Sequence, residues 1–126
     1  APEGYFPAED LTEECRKIAS ETGGSVEFIT DPKTAVKNAD VIYTDVWVSM
    51  GEEALKEQRT KLLSPYQVNS KLMEATGKKN TIFLHCLPAV KGQEFTEEGF
   101  EGSASRVWDE AENRKHTIKA IMLGLI

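Results

Sequence analysis

Two short runs rich in β-branched and aromatic residues, "VIYTD" at 41–45 and "TIFLHC" at 81–86, are each flanked by stretches with helical periodicity. That alternation constrains the fold more than any other feature. Successive strands separated by a helix-length connection pair in parallel, with the connecting helices packed on the faces of the sheet. The expected class is therefore α/β, a doubly wound, mostly parallel sheet with helices on both faces.

The remaining elements follow from local signals. A helix is expected from about Asp10 to Thr22, with Leu11, Cys15, Ile18 and Ala19 on one face and Gly23-Gly24 as its stop. "SVEFIT" at 25–30 reads as a short strand. Asp31-Pro32 reads as an N-cap followed by proline in the first helical position, and Asn38-Ala39-Asp40 as the close of that helix. A strand over Val41–Asp45, a helix around Glu52–Leu63 and a second helix ending at Gly77 come next. After the 81–85 strand, a short strand at 105–107 leads into a final helix, whose Ile118, Ile121, Met122 and Leu125 form an apolar stripe.

Net charge is −6, so the chain carries no electrostatic footprint for nucleic acid. No apolar stretch reaches the roughly 18 residues of a membrane span, and the N-terminal residues lack a secretory-signal layout. A cytoplasmic location is expected, with no membrane partner. The two cysteines, Cys15 and Cys86, form no C-x-x-C pair, and two histidines are few for a zinc site, so free thiols and no metal are expected. The common nucleotide fingerprints are missing.

In open α/β sheets ligands bind beyond the carboxyl ends of the strands. Asp45 and the following "VWVSMGEE" stand at one such end, "HCLPA" (85–89) at a second, and "WDEAENR" (108–114) at a third. Taken singly, each has an ordinary reading. Asp45 suits a turn, Ser49 a helix cap, and His85-Cys86 a satisfied strand end. Arg114 suits an ion pair with Asp109 or Glu112, and Trp47 and Trp108 suit packing.

Together, "DVWVSMGEE" (45–53), "HCLPA" (85–89) and "DEAENRKHTIKA" (109–120) resemble the ornithine-binding half of ornithine carbamoyltransferases, and "PEGY" (2–5) extends the resemblance over nearly the whole chain. "SMG" is similar to that family's ornithine loop, and "HCLP" sets the match apart from the aspartate-using relatives. The resemblance implies a carbamoyl transfer from carbamoyl phosphate to the δ-amine of L-ornithine, giving citrulline and phosphate, without metal or organic cofactor. It implies Asp45, Ser49 and Met50 as ornithine contacts and Asp45 and Cys86 as the catalytic pair. Cys86, Leu87 and Arg114 are the implied contacts to carbamoyl phosphate. His85 stays outside the catalytic set, its role being structural.

Family members are about twice as long. Their phosphate-binding S-x-R-T signature is absent, "EQRT" at 57–60 carrying Glu57 in place of the serine, and H-P-x-Q is absent as well. Residues 1–126 are thus expected to be a partial ornithine-binding domain without the N-terminal carbamoyl phosphate domain, and without the first strands of its own sheet. Isolated, it would be inactive; the intact enzyme would be a homotrimer or an assembly of trimers. Two other readings stay open beside this one: a non-catalytic amino-acid-binding α/β fragment, and a carbamoyltransferase for a related amine. A response-regulator-like module fits poorly, since no acidic pair precedes a suitable strand.

Overall fold

In the computed structural model, which describes residues 1–126, six helices and two strands alternate in the order α1 (Glu9–Thr22), α2 (Pro32–Ala35), β1 (Val41–Thr44), α3 (Lys56–Leu63), α4 (Ser70–Ala75), β2 (Ile82–His85), α5 (Glu97–Glu101) and α6 (Val107–Gly124). Local chemistry sets several boundaries. Gly23 stops α1 in the left-handed conformation (φ 76°), its N–H returning to Ala19 O. Asp31 caps α2 by accepting the Thr34 N–H at 2.7 Å, with Pro32 in the first position. Asn69 and Thr96 cap α4 and α5 in the same way.

β1 and β2 pair in parallel, with Ile42 opposite Phe83 and Thr44 opposite His85. Side chains alternate across the pleat, so Ile42, Phe83 and His85 share one face while Tyr43 and Leu84 share the other. The first face is the core. Ile42 and Phe83 pack there with Val68, Leu72, Phe95, Phe100 and Val107. Phe95 is the hub, stacked on Phe100 at 4.7 Å between ring centroids and meeting Phe83 and His85 at 5.9 and 5.6 Å. The second face is left more open, with Tyr43 exposed on β1.

Several expectations need correction. Residues 25–30 form no strand. A strand exists only by pairing its backbone, and no neighbour offers them a ladder; Phe28 instead meets Phe6 edge-on at 5.6 Å. The strand expected at 105–107 is one bridge: Phe83 donates to Ala104 O and accepts from Arg106 N–H, both at 2.9 Å, before α6 starts at Val107. The helix expected from Glu52 opens with a 3₁₀ turn, Glu53–Leu55. α2 is a single turn, and Asn38 beyond it is left-handed (φ 62°). The sheet is thus two strands plus a bridge, and the outer edge of β1 is unpaired. The apolar stripes of α1 and α6 are likewise uncovered: Leu11, Ile18, Ile118, Ile121, Met122 and Leu125 all face solvent. Periodicity shows which face would be buried, but burial needs an element to supply the other side.

Candidate active site

Beyond the carboxyl ends of β1 and β2 the chain delivers Asp45 and Cys86 side by side. Their Cα positions follow two register-paired strands, and alternation turns both onto the open face shared with Tyr43 and Leu84. The Cys86 thiol donates to Asp45 Oδ1 at 3.1 Å, and the same oxygen accepts the Val46 N–H at 2.7 Å. Burial pushes the Cys86 thiol pKa up, and the Asp45 carboxylate reinforces the shift through its hydrogen bond and its charge. The resting site therefore holds a neutral thiol on a carboxylate and not a ready nucleophile.

This state has a direct test. Alkylation of Cys86 by iodoacetamide should keep accelerating beyond pH 9, the ordinary value for a thiol, and Asp45→Asn should move the profile to lower pH. A wild-type profile that levels off by pH 8 would contradict the geometry. Peptide-level mass spectrometry separates this thiol from Cys15, which is also free.

His85, by contrast, is fully buried on the core side. Its Nδ1 accepts the Leu87 N–H at 2.9 Å, which assigns the ring proton to Nε2, and Nε2 faces Glu94 Oε1 at 3.3 Å, off the line of a hydrogen bond. Glu94, equally buried, accepts the Val90 N–H at 2.6 Å through that oxygen. The pair thus holds both ends of the loop that follows β2. Within the loop Leu87 is left-handed (φ 51°), Leu87–Pro88 is cis, and the Leu87 side chain packs against the core. With its N–H engaged by His85, Leu87 can offer a ligand only its carbonyl oxygen.

Cys86 and Arg114 line one cleft of about 530 Å³, together with Tyr43, Glu110, Asn113 and Thr117. Arg114 is exposed and pairs with neither carboxylate suggested by its sequence neighbours: Asp109 faces Arg106 at 3.9 Å and Glu112 faces His116 at 3.7 Å. Its guanidinium is free for an anion. Arg114 lies two turns into α6, which begins at Val107.

Ser49 and Met50 are not brought to this cleft. They line a separate cavity of about 180 Å³ with Trp47, Val48 and Val90, across the 86–90 loop, and Met50 is 94% exposed. Ser49 caps no helix; its carbonyl accepts the Glu52 N–H in a turn where Gly51 takes φ 90°. The loop is held from below by a pair that spacing did not single out. Arg59 forks onto Glu52 at 2.6 and 2.8 Å and also donates to Trp47 O at 3.3 Å, while Trp47 is buried. Trp108, expected to pack, is exposed yet meets Phe100 edge-on at 5.4 Å. No three His, Cys, Asp or Glu side chains converge as a metal-binding group, and no helix is long and apolar enough to cross a membrane.

Chemically, the cleft combines the Cys86 thiol, which is bonded to the neighbouring Asp45 carboxylate, with an unpaired guanidinium. That set suits a small substrate with a cationic amine and an anionic, carbonyl-bearing reagent.

Comparison with known proteins gives a consistent picture. Residues 1–125 match the family model described as aspartate/ornithine carbamoyltransferase, Asp/Orn binding domain. The chain is 61% identical over 126 residues to an ornithine carbamoyltransferase of Pseudothermotoga lettingae, covering all of this chain and 40% of that protein. It is 58% identical over 125 residues to that of Thermotoga maritima, covering 99% and 40%. Among solved structures, ornithine carbamoyltransferase from Pyrococcus furiosus matches with a TM-score of 0.89 at 50% identity, over 96% of this chain and 38% of the other. The anabolic enzyme from Campylobacter jejuni matches with a TM-score of 0.91 at 38% identity, over 99% and 41%. The chain spans about 40% of the length of the curated relatives it matches.

Proposed function

Because the chain belongs to the aspartate/ornithine carbamoyltransferase family, through its Asp/Orn-binding domain, we propose that it supplies the ornithine-binding half of an ornithine carbamoyltransferase. The observation that carries this reading is the Asp45–Cys86 pair at the end of the two paired strands, in reach of the unpaired Arg114. Identity favours ornithine over its acetylated relative: 61% to an ornithine enzyme against 29% to an acetylornithine transcarbamylase.

In the proposed reaction the neutral δ-amine of L-ornithine attacks the carbonyl carbon of carbamoyl phosphate. A C–N bond forms, the C–O bond to phosphate breaks, and the amine proton passes to the departing phosphate, giving citrulline. Asp45 draws the ornithine ammonium into the cleft through charge-assisted hydrogen bonds. Cys86, relieved of Asp45 as its acceptor, turns its sulfur toward the δ-amine and orients the lone pair. The Leu87 carbonyl accepts from the carbamoyl NH₂. Arg114 stabilises the carbonyl oxygen as it gains charge. Ser49 and Met50, which line the separate cavity beside Val90, reach the amino-acid end of ornithine once that end lies across the 86–90 loop. No metal or organic cofactor is called for by this exchange. The carbamoyl phosphate domain lies outside this sequence, and the assembled enzyme is read as a cytoplasmic homotrimer, or an assembly of trimers, in arginine metabolism.

A citrulline-formation assay tests the reading. The chain alone should be inactive, and activity should appear when it is mixed with a separately produced carbamoyl phosphate domain. In that mixture Arg114→Ala should lower turnover by roughly 10²–10³-fold, as expected for losing a donor to a developing oxyanion. Absence of turnover in the mixture, with ornithine failing to shift the chain's NMR spectrum, would sink the proposal.

A further inference from the structure

α6 is 18 residues long, yet Val107 is its one buried residue. A helix so lightly packed has little to fix its direction over the sheet, although it carries Arg114. Beyond Val107, one side-chain hydrogen bond ties it to a strand: Tyr43 Oη donates to Glu110 Oε1 at 2.7 Å, across 67 residues of sequence. Glu110 lies one turn before Arg114, so the two side chains share a face of α6. Tyr43 lies on the face of β1 that carries Asp45 and lines the same cleft as Cys86. We propose that Tyr43 and Glu110 are a positioning pair that fastens the first turn of α6 to β1 and thereby holds the Arg114 guanidinium, one turn further on, over Cys86.

Three further facts agree with this role. Glu110 Oε2 is shielded from solvent without a hydrogen-bond partner, so the carboxylate is committed to the cleft and not to water. The bond to Glu110, with a smaller contribution from burial, pushes the Tyr43 pKa up to about 12, so the hydroxyl remains a donor throughout the neutral range. The other acids near Arg114 are engaged elsewhere, Asp109 with Arg106 and Glu112 with His116. No rival ion pair on α6 pulls the guanidinium away. The inference rests on the proposed role of Arg114 at the carbamoyl group, but its geometry can be tested without turnover.

The test compares alkylation of Cys86 in the full chain by iodoacetate, which is anionic, and by iodoacetamide, which is neutral. Both reagents react with the same thiolate, so the ratio of rates cancels any change in thiol pKa and reads the local charge met by the reagent. A guanidinium in the cleft should raise the ratio, and Arg114→Ala should lower it roughly three- to tenfold, the effect of one charge at a partly screened site. Tyr43→Phe, which leaves every charge in place, should lower the ratio by a similar factor. Glu110→Gln, which still offers an oxygen to Tyr43, should keep the ratio at or above the wild-type value. Loss of helix packing alone would lower the melting temperature without this pattern. A Tyr43→Phe ratio equal to wild type, or an Arg114→Ala ratio equal to wild type, would overturn the proposal. If instead the ratios behave as expected while Arg114→Ala leaves citrulline formation intact in the complemented enzyme, the functional role of Arg114 falls and the positioning pair stands.

Discussion

Phe95→Ala is expected to cost about 3–5 kcal/mol, the range for emptying a buried aromatic site, and to lower the melting temperature by about 10 °C or more for a chain of this size. The size of the effect follows from how small the core is. Of 126 residues 14 are buried, and Phe95, at 0% exposure, touches the rings of Phe83, His85 and Phe100. Its backbone also bridges to Val68 and Lys91, so the cavity would open where the 86–95 loop, β2 and α5 meet. With total stabilities of domains near 5–15 kcal/mol, this one truncation removes a large share. Urea unfolding followed by circular dichroism would measure it. A loss below about 1 kcal/mol would mean that neighbouring rings collapse into the space and that Phe95 is not the hub described.

Glu94→Ala is the second large expectation, and it reaches the candidate site as well as stability. The substitution leaves the buried Val90 N–H without its acceptor and removes the carboxylate that His85 Nε2 faces at 3.3 Å. Leaving one buried polar group unpaired costs about 1–3 kcal/mol, so a loss in that range is expected. Glu94→Gln, which keeps an acceptor for Val90, should lose much less. Because His85 in turn accepts the Leu87 N–H, the loop carrying Cys86, Leu87 and Pro88 should loosen in Glu94→Ala. Amide exchange at Leu87 and Val90 should then accelerate well beyond the change in α1, whose hydrogen bonds lie outside this loop. Equal losses for the Ala and Gln variants would show that the oxygen does not hold the loop.

The contrast between His85 and Cys86 shows how far adjacent letters can be told apart. Both end a strand in "FLHCLPA", and polarity alone separates them poorly. Alternation does so once the direction of one neighbour is known: Phe83 is buried, hence His85 is buried and Cys86 is not. Glu94 offered no comparable signal. It sits in the loop "KGQEF", where an acid is ordinarily solvated, and only the folded chain reveals that it is fully enclosed. The Glu52–Arg59 fork was hidden for a similar reason, since seven residues separate the partners across a turn and a helix boundary.

Signals acting over a few residues were legible from the letters. Asp31 and Pro32 start α2, Gly23 stops α1, and the apolar runs at 41–45 and 81–86 become the paired strands. Caps, turns and strand propensity depend on neighbours within one turn of chain, so they survive in any tertiary setting. The motifs at 45–53, 85–89 and 109–120 were legible too, and with them the family. Other outcomes depended on elements far apart in sequence. The run at 25–30 has strand composition but no partner, and the stripe at 118–125 has helical spacing but no cover. Asp45 meets Cys86 across 41 residues and Tyr43 meets Glu110 across 67. Those meetings follow from the register of β1 on β2, which burial of Ile42 and Phe83 on one face imposes, and a register is a property of two strands together that neither strand carries in its own residues.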